Sequence, residues 1–186
     1  MISIIILNYN AGKLLNDCVS SIFSSDIKDF EIIVVDNMSS DNSHQECKKK
    51  FKNIILIENK KNLGYCEGNN VGLRVAKGEF VLILNPDTIV SSYWLNGLLD
   101  AHNKKGEGLY QPKILSLSKP KKLGTTGNMI NIFGFGFSRD RGIDDQNQQN
   151  DIEEIGYASG TCLFLSLKTF KKIGFLDPFL FAYHDD

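Results

Sequence analysis

The sequence predicts an α/β fold: a mostly parallel central sheet with helices on both faces. Two observations predict it. Strand-length, β-branched apolar runs alternate with helical-period segments four times in the first ~105 residues, a pattern that requires crossover connections and hence parallel strands. The runs are continuously apolar rather than alternating, as expected of strands covered on both faces.

Residues 2–7 are the first such run, a buried strand. Leu14, Leu15, Cys18, Val19, Ile22 and Phe23 recur at helical spacing and form the stripe of an amphipathic helix. Residues 30–35 give the second strand, 43–52 a polar helix and 54–57 the third strand. A short helix is expected over 68–76 and the fourth strand over 80–84. Leu95, Leu98, Leu99 and His102 mark a further helix that begins near Ser91 or Ser92, either of which can cap it.

The second half is less regular. Residues 124–137 mix glycine with Phe133, Phe135 and Phe137. Residues 139–154 are polar and read as a mobile surface loop. Order resumes at Gly156, with a strand over 161–166 and a short helix over Leu167–Ile173. No repeat and no linker divides the chain. It is read as a single domain, 1–186, with a nucleotide-binding half over 1–105 and an acceptor half over 106–186.

The bulk numbers exclude several classes. Hydrophobic residues make up 42% and charged residues 23%, ordinary for a globular protein, and the net charge is −1, so no nucleic-acid partner is expected. Local lysine groups (Lys48 to Lys50, Lys60-Lys61, Lys121-Lys122) read as solvated faces; weak attraction to a membrane surface is the alternative. No apolar run approaches membrane-spanning length, and the first one is too short for a signal peptide. Cys18, Cys47, Cys66 and Cys162 lack metal-site spacing, which favours buried reduced thiols and a cytoplasmic location, with peripheral attachment to the inner face of the membrane left open.

Ligands of such sheets bind beyond the carboxyl ends of the strands. Here those ends are Leu7-Asn8-Tyr9-Asn10, Val35-Asp36-Asn37, the third-strand tail with Asn59 and Asn62-Leu63-Gly64-Tyr65, and Leu84-Asn85-Pro86-Asp87. Turn formation explains one polar tail; four converging on one edge point to a site. Asp36 can accept hydrogen bonds from a ribose or a base imide, or cap its own turn. Asn8 and Tyr9 can supply an amide and a ring beside a base. Gly64 and Gly68 let backbone approach a ligand closely. Asp87, after a buried strand and a turn-fixing proline, suits a divalent cation, Mg²⁺ or Mn²⁺, that bridges a diphosphate; Asn85 is a neutral neighbour. The dinucleotide glycine fingerprint is missing, which argues against an oxidoreductase.

These segments, in this order, resemble the large inverting glycosyltransferase family of GT-A fold (family 2, rhamnosyltransferase-like). The resemblance also covers Gly68-Asn69-Asn70, Lys77-Gly78-Glu79, residues 160–164, 170–177 and Tyr183-His184-Asp185-Asp186. It implies a nucleotide-sugar donor (UDP- or dTDP-sugar), a glycan or lipid-linked acceptor and a role in cell-surface polysaccharide synthesis. Leu7, Asn8, Tyr9, Asp36, Asn37, Asn62, Gly64, Tyr65, Asn69, Asn85 and Pro86 would form the donor site. Asp87 stands at the last position of the family's D-x-D motif, where Asn85 replaces its first aspartate. Asp185 and Asp186 match the acidic pair that supplies the catalytic base. Relatives continue past that pair, so truncation at the C-terminus is expected. A nucleotide-sugar-binding module without turnover is the rival reading.

Overall fold

The computed structural model describes residues 1–148 and 150–181. Its centre is a five-stranded sheet in the order β3-β2-β1-β4-β9. Strands β1 (Ile2–Asn8), β2 (Phe30–Asp36), β3 (Ile55–Glu58) and β4 (Phe80–Leu84) are parallel, and β9 (Cys162–Ser166) closes the edge antiparallel to β4. Between them run helices α1 (Lys13–Phe23), α2 (Ser43–Lys50), α3 (Gly64–Val75) and α4 (Trp94–Lys105), with α5 (Leu167–Ile173) after β9.

The pleat of the sheet sorts its apolar side chains into two cores. Ile4, Ile6, Ile32, Val34, Leu82 and Phe164 face α1, α2 and α4, where Leu15, Val19, Ile22, Cys47, Leu95 and Leu98 meet them. Ile5, Ile33, Val35, Val81, Ile83 and Leu165 face α3 and α5 through Leu73 and Phe170. Both faces exclude water, which is why these strands read as continuous apolar runs. All four cysteines are buried free thiols.

Strands β2 and β3 lie on one side of β1 and β4 on the other. The chain therefore reverses its direction of sheet building at β1/β4, a switch point that opens a crevice at the carboxyl edge.

Three expectations need correction. Helix α3 starts at Gly64, four residues before position 68, because two acceptors from outside the helix satisfy its first N–H groups: Asn62 Oδ1 takes the Gly64 N–H at 2.9 Å and the Phe181 carbonyl takes the Tyr65 N–H at 2.7 Å. Helix α4 is capped by neither Ser91 nor Ser92. It starts at Trp94, after a turn in which the Ser91 carbonyl accepts the Trp94 N–H, while the Ser92 carbonyl is taken by the Asp26 N–H. Helix α2 ends at Lys50, where Lys48 Nζ turns back onto the carbonyls of Lys52 and Ile54.

The irregular half contains short hairpin strands β5 (Ile114–Leu115) with β6 (Leu123–Thr125) and β7 (Asn128–Ile130) with β8 (Gly136–Ser138). The polar stretch after β8 forms no regular strand or helix among the described residues. It is pinned by Arg139 to Glu153, Lys113 to Asp145 and Lys122 to Asp144, at 2.9, 3.0 and 2.9 Å. No described helix is long and apolar enough to cross a membrane.

Candidate active site

The register of the sheet places Asn8, Asp36 and Glu58 side by side at the last positions of β1, β2 and β3. Asn8 is fully buried, and its Nδ2 lies 2.7 Å from Asp36 Oδ1, 3.0 Å from Ser39 Oγ and 2.9 Å from Ser43 Oγ. Asp36 Oδ2 accepts the Ser39 N–H at 2.9 Å. The two loops beyond are cross-linked: Asn10 N–H donates to Ser39 Oγ, Ser40 N–H to Asn10 Oδ1 and Gly12 N–H to Asp41 Oδ2. Hydrogen bonds from the Ser43 hydroxyl, the Ser43 N–H and the Gly12 N–H outweigh the burial penalty at Asp41, so its carboxyl stays ionised to lower pH than usual. Tyr9 and Met38 stand exposed on this rim.

Asn37 ties the rim to the turn before α3. Its Nδ2 donates to Asn62 Oδ1 and the Gly64 carbonyl, and its Oδ1 accepts from Asn59 Nδ2 and the Leu63 N–H. Every polar group of this buried amide is thus engaged within the protein. Gly64 has φ +76, and a Cβ there would fall 2.4 Å from the Phe181 carbonyl oxygen. Tyr65 reaches across with its hydroxyl to the Gly160 carbonyl at 2.8 Å. Asn69 is fully buried within α3, with Nδ2 on the Tyr65 carbonyl. Leu7 packs against Gly68, which has no room for a side chain.

Across the switch point, Asn85-Pro86-Asp87-Thr88 makes a tight turn. Thr88 bonds the Asn85 carbonyl through its N–H at 3.3 Å and its hydroxyl at 2.7 Å, and the Asn85 N–H donates to Thr161 beside β9. Proline at the second turn position fixes φ and leaves Asp87 at the third, pointing outward. Asp87 is exposed and forms no hydrogen bond or ion pair among the described residues. It opens on a cleft of about 510 Å³ whose far wall is the 112–117 segment with Trp94 and Thr161. Beneath it, burial pushes the Cys18 thiol up to about 12, and Thr88 partly offsets this.

The described residues contain no cluster of three metal-binding side chains. One free carboxylate fits a cation whose other oxygens come from a diphosphate and water, and it would not hold one alone.

The structure gathers Asn8, Asp36, Asn37, Asn62 and Gly64 into one network and sets Asn85, Pro86 and Asp87 across the crevice. Ser39 and Asp41, from the tail Ser39-Ser40-Asp41 that follows the second strand and belongs to the family resemblance, join that network, and the structure adds Ser43, His44, Glu58 and the 112–117 wall, which the sequence did not single out. Ser43 and His44 looked like ordinary first-turn residues of a polar helix, and nothing in the local sequence marks residues 112–117. Phe175, Phe179 and Phe181 are exposed; Phe175 packs edge-on to Phe170, with the Arg74 guanidinium 5.1 Å from its ring centre. Asp185 and Asp186 lie outside the described residues.

The family model for glycosyl transferase family 2 matches residues 3–174. The low-salt glycan biosynthesis hexosyltransferase Agl10 of Haloferax volcanii is 28% identical over the whole of this chain and 59% of its own length. The structure of S. aureus TarS in complex with UDP superposes with a TM-score of 0.70 at 20% identity, over 99% of this chain and 52% of that one. GalNAc-T7 with UDP, GalNAc and Mn²⁺ gives 0.76 at 16% identity, over 98% and 38%. At these identities the superpositions bear on the fold alone. This chain spans between about two fifths and three fifths of the length of these three proteins.

Proposed function

We propose that this chain, which belongs to glycosyl transferase family 2, moves a sugar from a nucleoside-diphosphate donor to a glycan or lipid-linked acceptor with inversion. The carrying observation is the split site. A buried amide–carboxylate pair, Asn8 and Asp36, lies on one side of the β1/β4 switch point, and on the other lies Asp87, an exposed carboxylate with no hydrogen bond or ion pair among the described residues. The first suits a nucleobase or ribose, and the second a diphosphate carried with a divalent cation, Mg²⁺ or Mn²⁺. UDP- and dTDP-sugars are the donor class. TarS, solved with UDP, and GalNAc-T7, solved with UDP, GalNAc and Mn²⁺, share this fold.

The reaction is a single in-line displacement. The acceptor hydroxyl oxygen bonds to the anomeric carbon as the bond from that carbon to the diphosphate oxygen breaks. The hydroxyl proton passes to Asp185 or Asp186, and the nucleoside diphosphate leaves. A bound cation supplies charge compensation for the departing diphosphate. Asp87 would hold it, the Pro86 turn fixes where that carboxylate stands, and the cleft beside it takes the sugar. Release of nucleoside diphosphate from a panel of nucleotide-sugars, with and without acceptor, tests the reading. Absence of any nucleotide binding would refute it.

A further inference from the structure

Asp36 and Glu58 are register partners on neighbouring parallel strands, so two carboxylates stand side by side at the sheet edge. Like charges in that position repel. Among the described residues, neither has a lysine or arginine within ion-pair distance. The ring between them is His44, in the first turn of α2. Its Nδ1 is 3.3 Å from Asp36 Oδ1 and its Nε2 is 3.2 Å from Glu58 Oε1. The ring is 7% exposed, while Glu58 is half exposed and also accepts Gln45 Nε2. Both ring nitrogens are within ion-pair distance of a carboxylate, contacts that carry charge when the ring is protonated.

Three charged groups on neighbouring elements are committed elsewhere. On the loop into α2, Asp41 bonds Ser43 and Gly12. On α2 itself, Lys48 is spent on two carbonyls. On α1, Lys13 pairs with Asp17.

We propose that His44, as the imidazolium, is the positioning residue of Asp36, so that nucleotide affinity falls when the ring loses its proton. This rests on the reading of the β1–β2 edge as the nucleotide site. The protonated ring presents an N–H to each carboxylate and cancels their repulsion. The neutral ring has one N–H, and its other nitrogen turns a lone pair toward a carboxylate. Asp36 then loses its only counter-charge among the described residues at the moment it must hold a ligand, and an anionic nucleotide meets two uncompensated negative groups.

The test is UDP affinity by calorimetry with Mn²⁺ at about pH 6, 7 and 8, the range in which imidazole changes charge. Wild type, His44→Gln and Glu58→Gln are compared, so that the titration of UDP itself is common to all three. Wild type is expected to lose about ten-fold more affinity across the range than His44→Gln, the size of one charge-assisted contact. Glu58→Gln is expected to lose less affinity across the range than wild type, because the neutral ring then leaves one carboxylate uncompensated rather than two. Parallel profiles for wild type and His44→Gln overturn the proposal. If His44→Gln does not fold, the half-exposed Glu58→Gln decides: a loss as large as that of wild type overturns it. UDP binding at no pH in wild type would instead refute the nucleotide site, and this inference with it.

Discussion

Asn8 Nδ2 and Asp36 Oδ1 stand 2.7 Å apart at the last register position shared by β1 and β2, both side chains buried. The same amide faces Ser39 and Ser43, so one side chain ties two strands to the loop and helix that follow. Asn8→Ala leaves several buried groups short of a partner. It should lower stability by about 1–3 kcal/mol and nucleotide affinity by about ten-fold or more. Chemical denaturation and calorimetry measure both; unchanged affinity in a folded variant would remove Asp36 from the binding site.

Asp87 has no partner among the described residues, so Asp87→Asn should leave the thermal midpoint nearly unchanged. If Asp87 holds the cation, the gain in UDP affinity on adding Mn²⁺ should disappear and transfer should drop about a hundredfold. Full metal-dependent transfer by this variant would show the assignment to be wrong.

Gly64 combines a left-handed backbone with contact against the Phe181 carbonyl. Gly64→Ala should cost at least about 1–2 kcal/mol from the backbone alone. It should also drive Phe181 off the start of α3. Faster hydrogen exchange at Tyr65 would register that displacement, and an unchanged rate would argue that the contact is dispensable.

Glu107 fastens the start of α5. Hydrogen bonds from the Ser166 and Thr169 hydroxyls, with Lys168 nearby, lower its pKa from 4.5 to about 2. A depressed folded value means that this fastening is fully present above about pH 4.5 and is lost as pH falls through about 2. Exchange at Thr169 should therefore accelerate over that window in wild type. In Glu107→Gln the step should be absent.

Cys18 and Cys162 are pushed up to about 12, chiefly by burial. Both should resist iodoacetamide at about pH 8 until the chain is unfolded, since the thiolate is the reactive form. Mass spectrometry of the labelled native protein checks this; labelling at the unfolded rate would contradict the burial.

Much of this protein is written locally. The β-branched runs that became β1, β2 and β4 are apolar because both sheet faces are covered. The polar residues that follow them, Asn8, Asp36 and Asp87, fall at the same carboxyl edge of the sheet because parallel strands share one direction. Sequence order and motif spacing were enough to predict the α/β fold and to resemble the family whose model spans residues 3–174.

Only the tertiary structure decided which groups those residues face. Helix α3 begins at Gly64 because Phe181, more than a hundred residues on, accepts an N–H there. Asn37 closes on the 59–64 turn, whereas Asp87 is left free. His44 lies between Asp36 and Glu58 because α2 is laid across two strand ends. A sequence sets the period of burial along each segment, but hydrogen bonds and charge pairs between distant segments exist only after packing has chosen their neighbours.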